Sequence, residues 1–297
     1  MRWILRCFSL VAAAACASSS SPPPPLHDHD AASFAPDAVL RVTRRDIDIG
    51  GITRYSTLVN DSLPGPTLRI PEAKVVWIRV YNDMTDDNLT MHWHGLAQAA
   101  FPFSDGTPLA SQWPIPPQHF FDYELLAAEG TAGTYYYHSH VGFQASTATG
   151  ALIVEDAGRP PYQADGERIV FLQEFWPETD RVMLEGLQAT PHRWAGETHG
   201  WLVNGKTVRV QDTAGGGGGG GELEVIRVEP GKTYRLRFVG ATALSLALLA
   251  FEDHARLDII QADGGYTKPR AVDMVQIGSG QRYDALLRTK TWRAGSG

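Results

Sequence analysis

From Val39 onward the chain is written in short stretches of alternating apolar and polar residues. Each is cut off by glycine, proline or asparagine, and none keeps a helical apolar period. Alternation sends successive side chains to opposite faces of an extended strand, so each stretch can bury one face and wet the other. Residues 40–49 read as a strand, Gly50-Gly51 as a tight turn and residues 52–59 as the hairpin partner. Residues 63–70, punctuated by Pro64 and Pro66, read as an edge strand. Further strands are expected at 74–81, 89–94, 119–126, 134–140 and 150–155. Beyond a boundary near Arg159-Pro160-Pro161 they are expected at 168–175, 200–203, 223–228, 233–239, 256–261 and 282–288, with the apolar run 244–251 as a buried strand. Many short strands without an amphipathic helix predict an all-β fold of sandwich or barrel type, in two domains at 38–159 and 160–297.

The 297 residues are 43% hydrophobic and 20% charged, ordinary for a globular protein with an ample core. The net charge of −7 argues against nucleic acid and anionic membranes as partners. Residues 1–17 read as a secretory signal: Arg2 and Arg6, an apolar stretch too short to span a bilayer, then Ala15-Cys16-Ala17 as a cleavage point. Lipidation of Cys16 is the rival reading. Both cysteines, Cys7 and Cys16, lie in this segment, so the secreted chain would hold neither a disulfide nor a thiolate metal ligand. Residues 18–37 read as a disordered Ser/Pro/His/Asp linker, in which His27 and His29 are solvated. Residues 214–221 contain seven consecutive glycines and read as a flexible loop.

Two His-x-His pairs stand out. His92-Trp93-His94 and His138-Ser139-His140 each fall in an expected strand, where residues i and i+2 share a face ~6.6–7 Å apart. Around the first pair Leu89, Met91 and Trp93 alternate with Thr90, His92 and His94, so the apolar set faces the core and the histidines face away from it. If the two strands end side by side, four imidazoles meet, and imidazole is a ligand for copper, zinc, iron or nickel. One such pair is weak evidence of metal; two, each followed closely by glycine, are much stronger. His119, His192 and His254 read as surface or structural histidines, and Tyr135 to Tyr137 as strand core and rim.

Beyond spacing, the motifs resemble a known family. His92-Trp93-His94-Gly95-Leu96, Asp105-Gly106, Trp113-Pro114-Ile115-Pro116-Pro117 and Gly133-Thr134-Tyr135-Tyr136-Tyr137-His138-Ser139-His140 with Gln144 resemble the first cupredoxin domain of multicopper oxidases, nearest the fungal laccase and ascorbate-oxidase-like enzymes. The likeness continues more loosely at Trp201 to Gly205, Pro230 to Arg237 and Gly280-Gln281-Arg282-Tyr283-Asp284. It implies two cupredoxin-like Greek-key β-sandwich domains, the second incomplete. His92 would ligate a type 2 copper, and His94, His138 and His140 a binuclear type 3 pair. Asp105 would assist proton delivery while dioxygen is reduced to water with electrons from a phenolic or ascorbate-like donor. Trp93 would pack and orient, and His199, where some laccases place an acidic substrate contact, would have no role.

The family's third domain, with its His-Cys-His segment and type 1 copper, has no counterpart here, and Trp113 stands where many relatives have a disulfide cysteine. The expectation is a secreted multicopper oxidase represented by half its trinuclear ligand set, the chain ending abruptly at Gly297. The alternatives are a non-catalytic secreted copper-binding protein and a chain completed by a partner that brings the missing half-site.

Overall fold

The computed structural model describes residues 34–194, 196–207, 221–252 and 256–291. The expected signal, most of the linker, the glycine run short of Gly221, and His254 lie outside the described residues.

In the first half, alternation decides the layers. β1 (Ala38–Ile49), β2 (Ile52–Val59), β4 (Val75–Asn82) and β6 (His119–Leu126) form one sheet in the order β2-β1-β4-β6, once β3 (Gly65–Pro71) and β5 (Met91–His94) are set aside. Those two join β7 (Gly133–Ser139) and β8 (Thr149–Glu155) in a second sheet, ordered β3-β8-β7-β5. The Pro-punctuated β3 is an edge strand, where a missing N–H costs no ladder bond. Between the sheets the inward residues close a core that includes Leu40, Ile78, Val80, Trp93, Tyr123 and Tyr137. Trp93 and Tyr123 meet edge to face at 5.3 Å. Every second residue of β5 is anchored in this core, which leaves His92 and His94 no choice of face.

In the second half, β9 (Gly166–Phe175), β10 (Gly200–Val203), β11 (Thr233–Ala241), β13 (Leu257–Ala262), β14 (Gly265–Val272) and β16 (Arg282–Arg288) form a sheet ordered β10-β9-β11-β16-β13-β14. The ribbon of β12 (Ala247–Ala250) and β15 (Met274–Ile277) covers it through Ala247, Val275 and Ile277. The architecture is all-β, with parallel pairs β1·β4, β3·β8 and β9·β11 among antiparallel ones.

Four expectations fail here. A helix, α1 (Asp180–Gln188), follows β9; Met183, Leu184 and Leu187 turn inward beside Asp180, but nine residues are too short a stretch for that period to stand out in the sequence. Thr179 caps it by accepting from the Val182 N–H at 3.4 Å. Residues 223–228 are not a strand. Leu223 and Val225 face solvent, and the Arg227 carbonyl is taken by Arg168 Nε at 2.8 Å instead of a ladder partner. Residues 244–251 are not buried throughout: Leu244, Leu246 and Leu248 are exposed, because a two-stranded ribbon covers its sheet with one face only. β14 and β15 were not expected: β14 is exposed along nearly its whole length, and β15 is only four residues long with Met274 on its exposed face.

The described residues from Ala35 onward pack as one unit. Polar groups latch its halves. Asp284 receives Arg235 at 2.5 Å and Arg237 at 3.0 Å, all three buried. Arg237 Nη1 then donates to Thr134 Oγ1 of β7 at 2.9 Å. Gln261 Nε2 donates to the Ala132 carbonyl at 2.6 Å, and its Oε1 accepts the Thr134 N–H at 3.3 Å. On the opposite flank, Arg54 of β2 donates to Asp180 of α1 at 2.6 Å, again buried on both sides. A buried charge without its partner is strongly destabilising, so these pairs fix the docking of one half on the other.

Candidate metal centre

The register of β5 against β7 pairs His92 with His138 and His94 with Tyr136. Residues directly opposite in an antiparallel ladder point to the same face, so three rings are placed by the ladder alone. His140 lies one residue past the end of β7, its N–H 3.4 Å from the Thr90 carbonyl, and joins the same face. The ring centroid of His92 lies 5.7 Å from His94, 5.3 Å from His138 and 5.5 Å from His140. All four expected histidines converge.

Their hydrogen bonds sort the nitrogens. His92 Nδ1 lies 2.7 Å from the Asp105 carbonyl oxygen and His138 Nδ1 lies 2.8 Å from that of Ser139. A carbonyl only accepts, so each Nδ1 carries the hydrogen and each Nε2 keeps its lone pair. His94 is turned the other way: its Nδ1 faces His138 Nε2 at 3.4 Å. That is long for a hydrogen bond. It equals the ~3.3–3.5 Å separating two nitrogens that share one ion at ~2.0–2.1 Å. Donor atoms of His92, His94 and His138 all lie within 4.8 Å of one another.

The protonation states suit ligation. Burial, opposed by the Ser139 hydrogen bond and reinforced by the other three histidines, pushes His138 down to about 3. Burial first, then the positive charge of Arg282 and the neighbouring imidazoles, pushes His94 down to about 4. Both rings are neutral at pH 7, the form that binds metal. A cavity of about 370 Å³ opens over them, walled by Tyr136, Phe143 and Ser146 on one side and by Glu174, Trp176, Ala241 to Ala243 and Ser279 on the other. The Glu174 carboxylate is spent on the wall itself, accepting the N–H groups of Ala243, Leu244 and Ser245 at 2.5–2.9 Å.

Asp105 ends a short 3-10 turn, Pro102–Ser104, and sits on the far side of His92 from its free nitrogen. Its carboxylate Oδ1 is 3.5 Å from His92 Nδ1, while Oδ2 accepts the Thr107 hydroxyl at 2.5 Å. It borders a separate cleft with Gln98, Thr107 and Ser111. Gly106 makes this possible: its φ is +80°, and a Cβ there would run into the Met91 carbonyl of β5. The turn and the hydrogen bond to His92 are thus one device.

The sequence missed Tyr136, Glu174 and Trp176. Tyr136 is more than strand rim, for it stacks on His94 at 4.5 Å and on His138 at 5.3 Å, and its i+2 relation to His138 was the available signal. Glu174 and Trp176 carry no motif. His119, His192 and His199 are exposed and away from the cavity; the first two bond the carbonyls of Pro117 and Leu187.

Two family models, each described as multicopper oxidase, match residues 41–159 and 166–295. The chain belongs to the multicopper oxidase family. It is 47% identical to laccase-like multicopper oxidase 1 of Thermothelomyces thermophilus, over 97% of this chain and 50% of that protein. It is 33% identical to the L-ascorbate oxidase of Cucumis sativus, over 78% of this chain and 41% of that one. The laccase of Botrytis aclada shares its fold, with a TM-score of 0.74 at 29% identity over 86% of this chain and 47% of the laccase. The chain spans about half the length of the curated relatives it matches. Copper is the metal this family implies, and four converging imidazoles with no thiolate among the described residues fit it.

Proposed function

We propose that this chain supplies half the ligand set of a secreted oxidoreductase's copper cluster, which reduces dioxygen to water at the expense of a phenolic or ascorbate-like donor. In this reading His92 holds the type 2 copper and His94, His138 and His140 contribute to the type 3 pair. The remaining ligands and the electron-entry site come from outside these residues. The observation that carries the reading is the 3.4 Å approach of His94 Nδ1 to His138 Nε2, long for a hydrogen bond and matching the spacing of two nitrogens on one ion. The names of the relatives, laccase-like oxidase and ascorbate oxidase, supply the donor class. Residues 1–17 supply the expectation of secretion.

Copper bound here supplies one-electron redox chemistry and a site for dioxygen. The chain's own residues do the rest. The Asp105 carbonyl holds the His92 Nδ1 hydrogen and so aims Nε2 at the metal side. The Asp105 carboxylate, fixed by Thr107 and open to the outer cleft, can pass a proton between solvent and the His92 side of the centre. Tyr136, Phe143 and Trp176 give the cavity apolar walls that keep bulk water from the reacting oxygen.

The test is copper stoichiometry of the purified chain and of the His94→Ala/His138→Ala variant. The wild type should take up copper without a blue absorption band and the variant should lose it; equal copper content in the two would refute the site. Oxygen uptake with a phenolic donor by this chain alone is expected to be nil, and uptake would overturn the half-site reading.

A further inference from the structure

We infer that the loop Gly278-Ser279-Gly280-Gln281, between β15 and β16, together with Arg282 at the start of β16, positions His94 for metal from across the junction of the two halves. The inference rests on the copper-binding role proposed above for His94. Gly280 faces the outer edge of the His94 ring without room for a side chain: a Cβ there would stand 2.8 Å from Nε2 and 2.9 Å from Cε1. A 180° flip of the ring exchanges Nε2 with Cε1 and Nδ1 with Cδ2, so this outer edge abuts Gly280 in both flips. Nε2 is shut in against the loop. Only Nδ1 is left to face His138, as observed.

The loop is itself held. The Gly280 N–H donates to the Gly240 carbonyl at 2.8 Å, Ser279 Oγ to the Thr242 carbonyl at 2.5 Å, and the Gly278 N–H to Gln281 Oε1 at 2.8 Å. Arg282, only 4% exposed, completes the clamp. Its guanidinium donates to the Gly280 carbonyl at 2.6 Å and to the Thr134 carbonyl of β7 at 3.2 Å. It also crosses the backbone just after His94 so closely that a Cβ on Gly95 would collide with Nη2. One buried cation therefore bonds the loop and β7, pairs with Asp263 at 3.2 Å and packs against the residue following His94; it cannot leave without losing the bonds to both carbonyls. His94 is a ligand set by its own strand; which of its nitrogens is offered is set by the other half of the chain.

The experiment compares Gly280→Ala, Arg282→Lys and Gly130→Ala, all in this chain, loaded with Cu(I). Gly130 has φ of +79° against +78° for Gly280, but a Cβ there meets nothing within 4 Å, so Gly130→Ala carries the same backbone strain without the contact. Two properties are read: Cu(I) affinity by competition with a chelator, and the metal-shifted nitrogen of His94 in long-range 1H–15N spectra. Wild type and Gly130→Ala should bind alike and through Nδ1. Gly280→Ala and Arg282→Lys should bind about tenfold or more weaker, with the Nδ1 signature lost. If Gly280→Ala does not fold, Arg282→Lys decides on the same two readouts. Wild-type affinity and Nδ1 ligation in both variants would overturn the clamp while leaving the copper site standing. Cu(I) binding by the wild type that is indifferent to His94→Ala would instead remove the reading on which the clamp rests.

Discussion

Acid should unfold the copper-free protein through its own histidine centre. His94 is held at about 4 and His138 at about 3, against an ordinary 6.5. Because both folded values are depressed, the unfolded chain takes up these protons first as pH falls. Stability from the two rings is therefore complete above pH ~6.5, declines below it, and stops declining once pH passes the folded values near 4 and 3. Within that window each ring gives a slope of ~1.4 kcal/mol per pH unit. Two rings amount to ~2.7 kcal/mol between pH 7.5 and 5.5, and about 2 kcal/mol after discounting the partly exposed His94 for solvent screening. Urea unfolding of the copper-free chain, followed by fluorescence at pH 7.5 and 5.5, reads this directly against the His94→Asn/His138→Gln variant, which cannot take up the protons. The difference in unfolding free energy between wild type and variant should move by about 2 kcal/mol in the variant's favour on acidification. Parallel pH dependences would refute the assignment of buried, neutral imidazoles.

Other consequences follow from the same geometry. Asp180→Ala should cost ~3–5 kcal/mol by leaving the buried Arg54 unpaired, with part regained in Arg54→Met/Asp180→Leu; urea titration of the three variants checks this. Asp105→Asn should leave copper content unchanged, because the main-chain carbonyl and not the carboxylate holds His92 Nδ1; copper analysis showing loss would contradict that division of labour. Gly106→Ala should lower copper content while the core melts cooperatively, since the turn must back away from Met91 and carry the Asp105 carbonyl off His92. A full copper load in that variant would show that His92 is oriented by something else.

The sheet strands of the first half were legible because each buries one face of a sandwich, and period-2 alternation survives wherever that holds. Leu89, Met91 and Trp93 announced the core, and by elimination His92 and His94 announced the open face. Legibility failed where contacts lie far away in sequence. α1 is held by Asp180 on Arg54 and its apolar stripe is only nine residues long, and β12 and β15 expose leucine and methionine on a ribbon that covers only one side. The candidate site divides the same way. Its four histidines are local, set by two strands and a register. The cavity wall at Glu174 and Trp176, and the loop behind His94, come from the other half of the chain, where no spacing ties them to a histidine. Asp105 was legible as a turn residue beside glycine; that its main chain would be the part touching His92 was not.

The most direct test of the central claim is diffraction from copper-soaked crystals of this chain, with anomalous differences collected on both sides of the copper edge. A copper peak is expected in the cavity, bonded to His94 Nδ1 and His138 Nε2. Density only at surface histidines such as His119 or His192, with the cavity empty of copper, would contradict it.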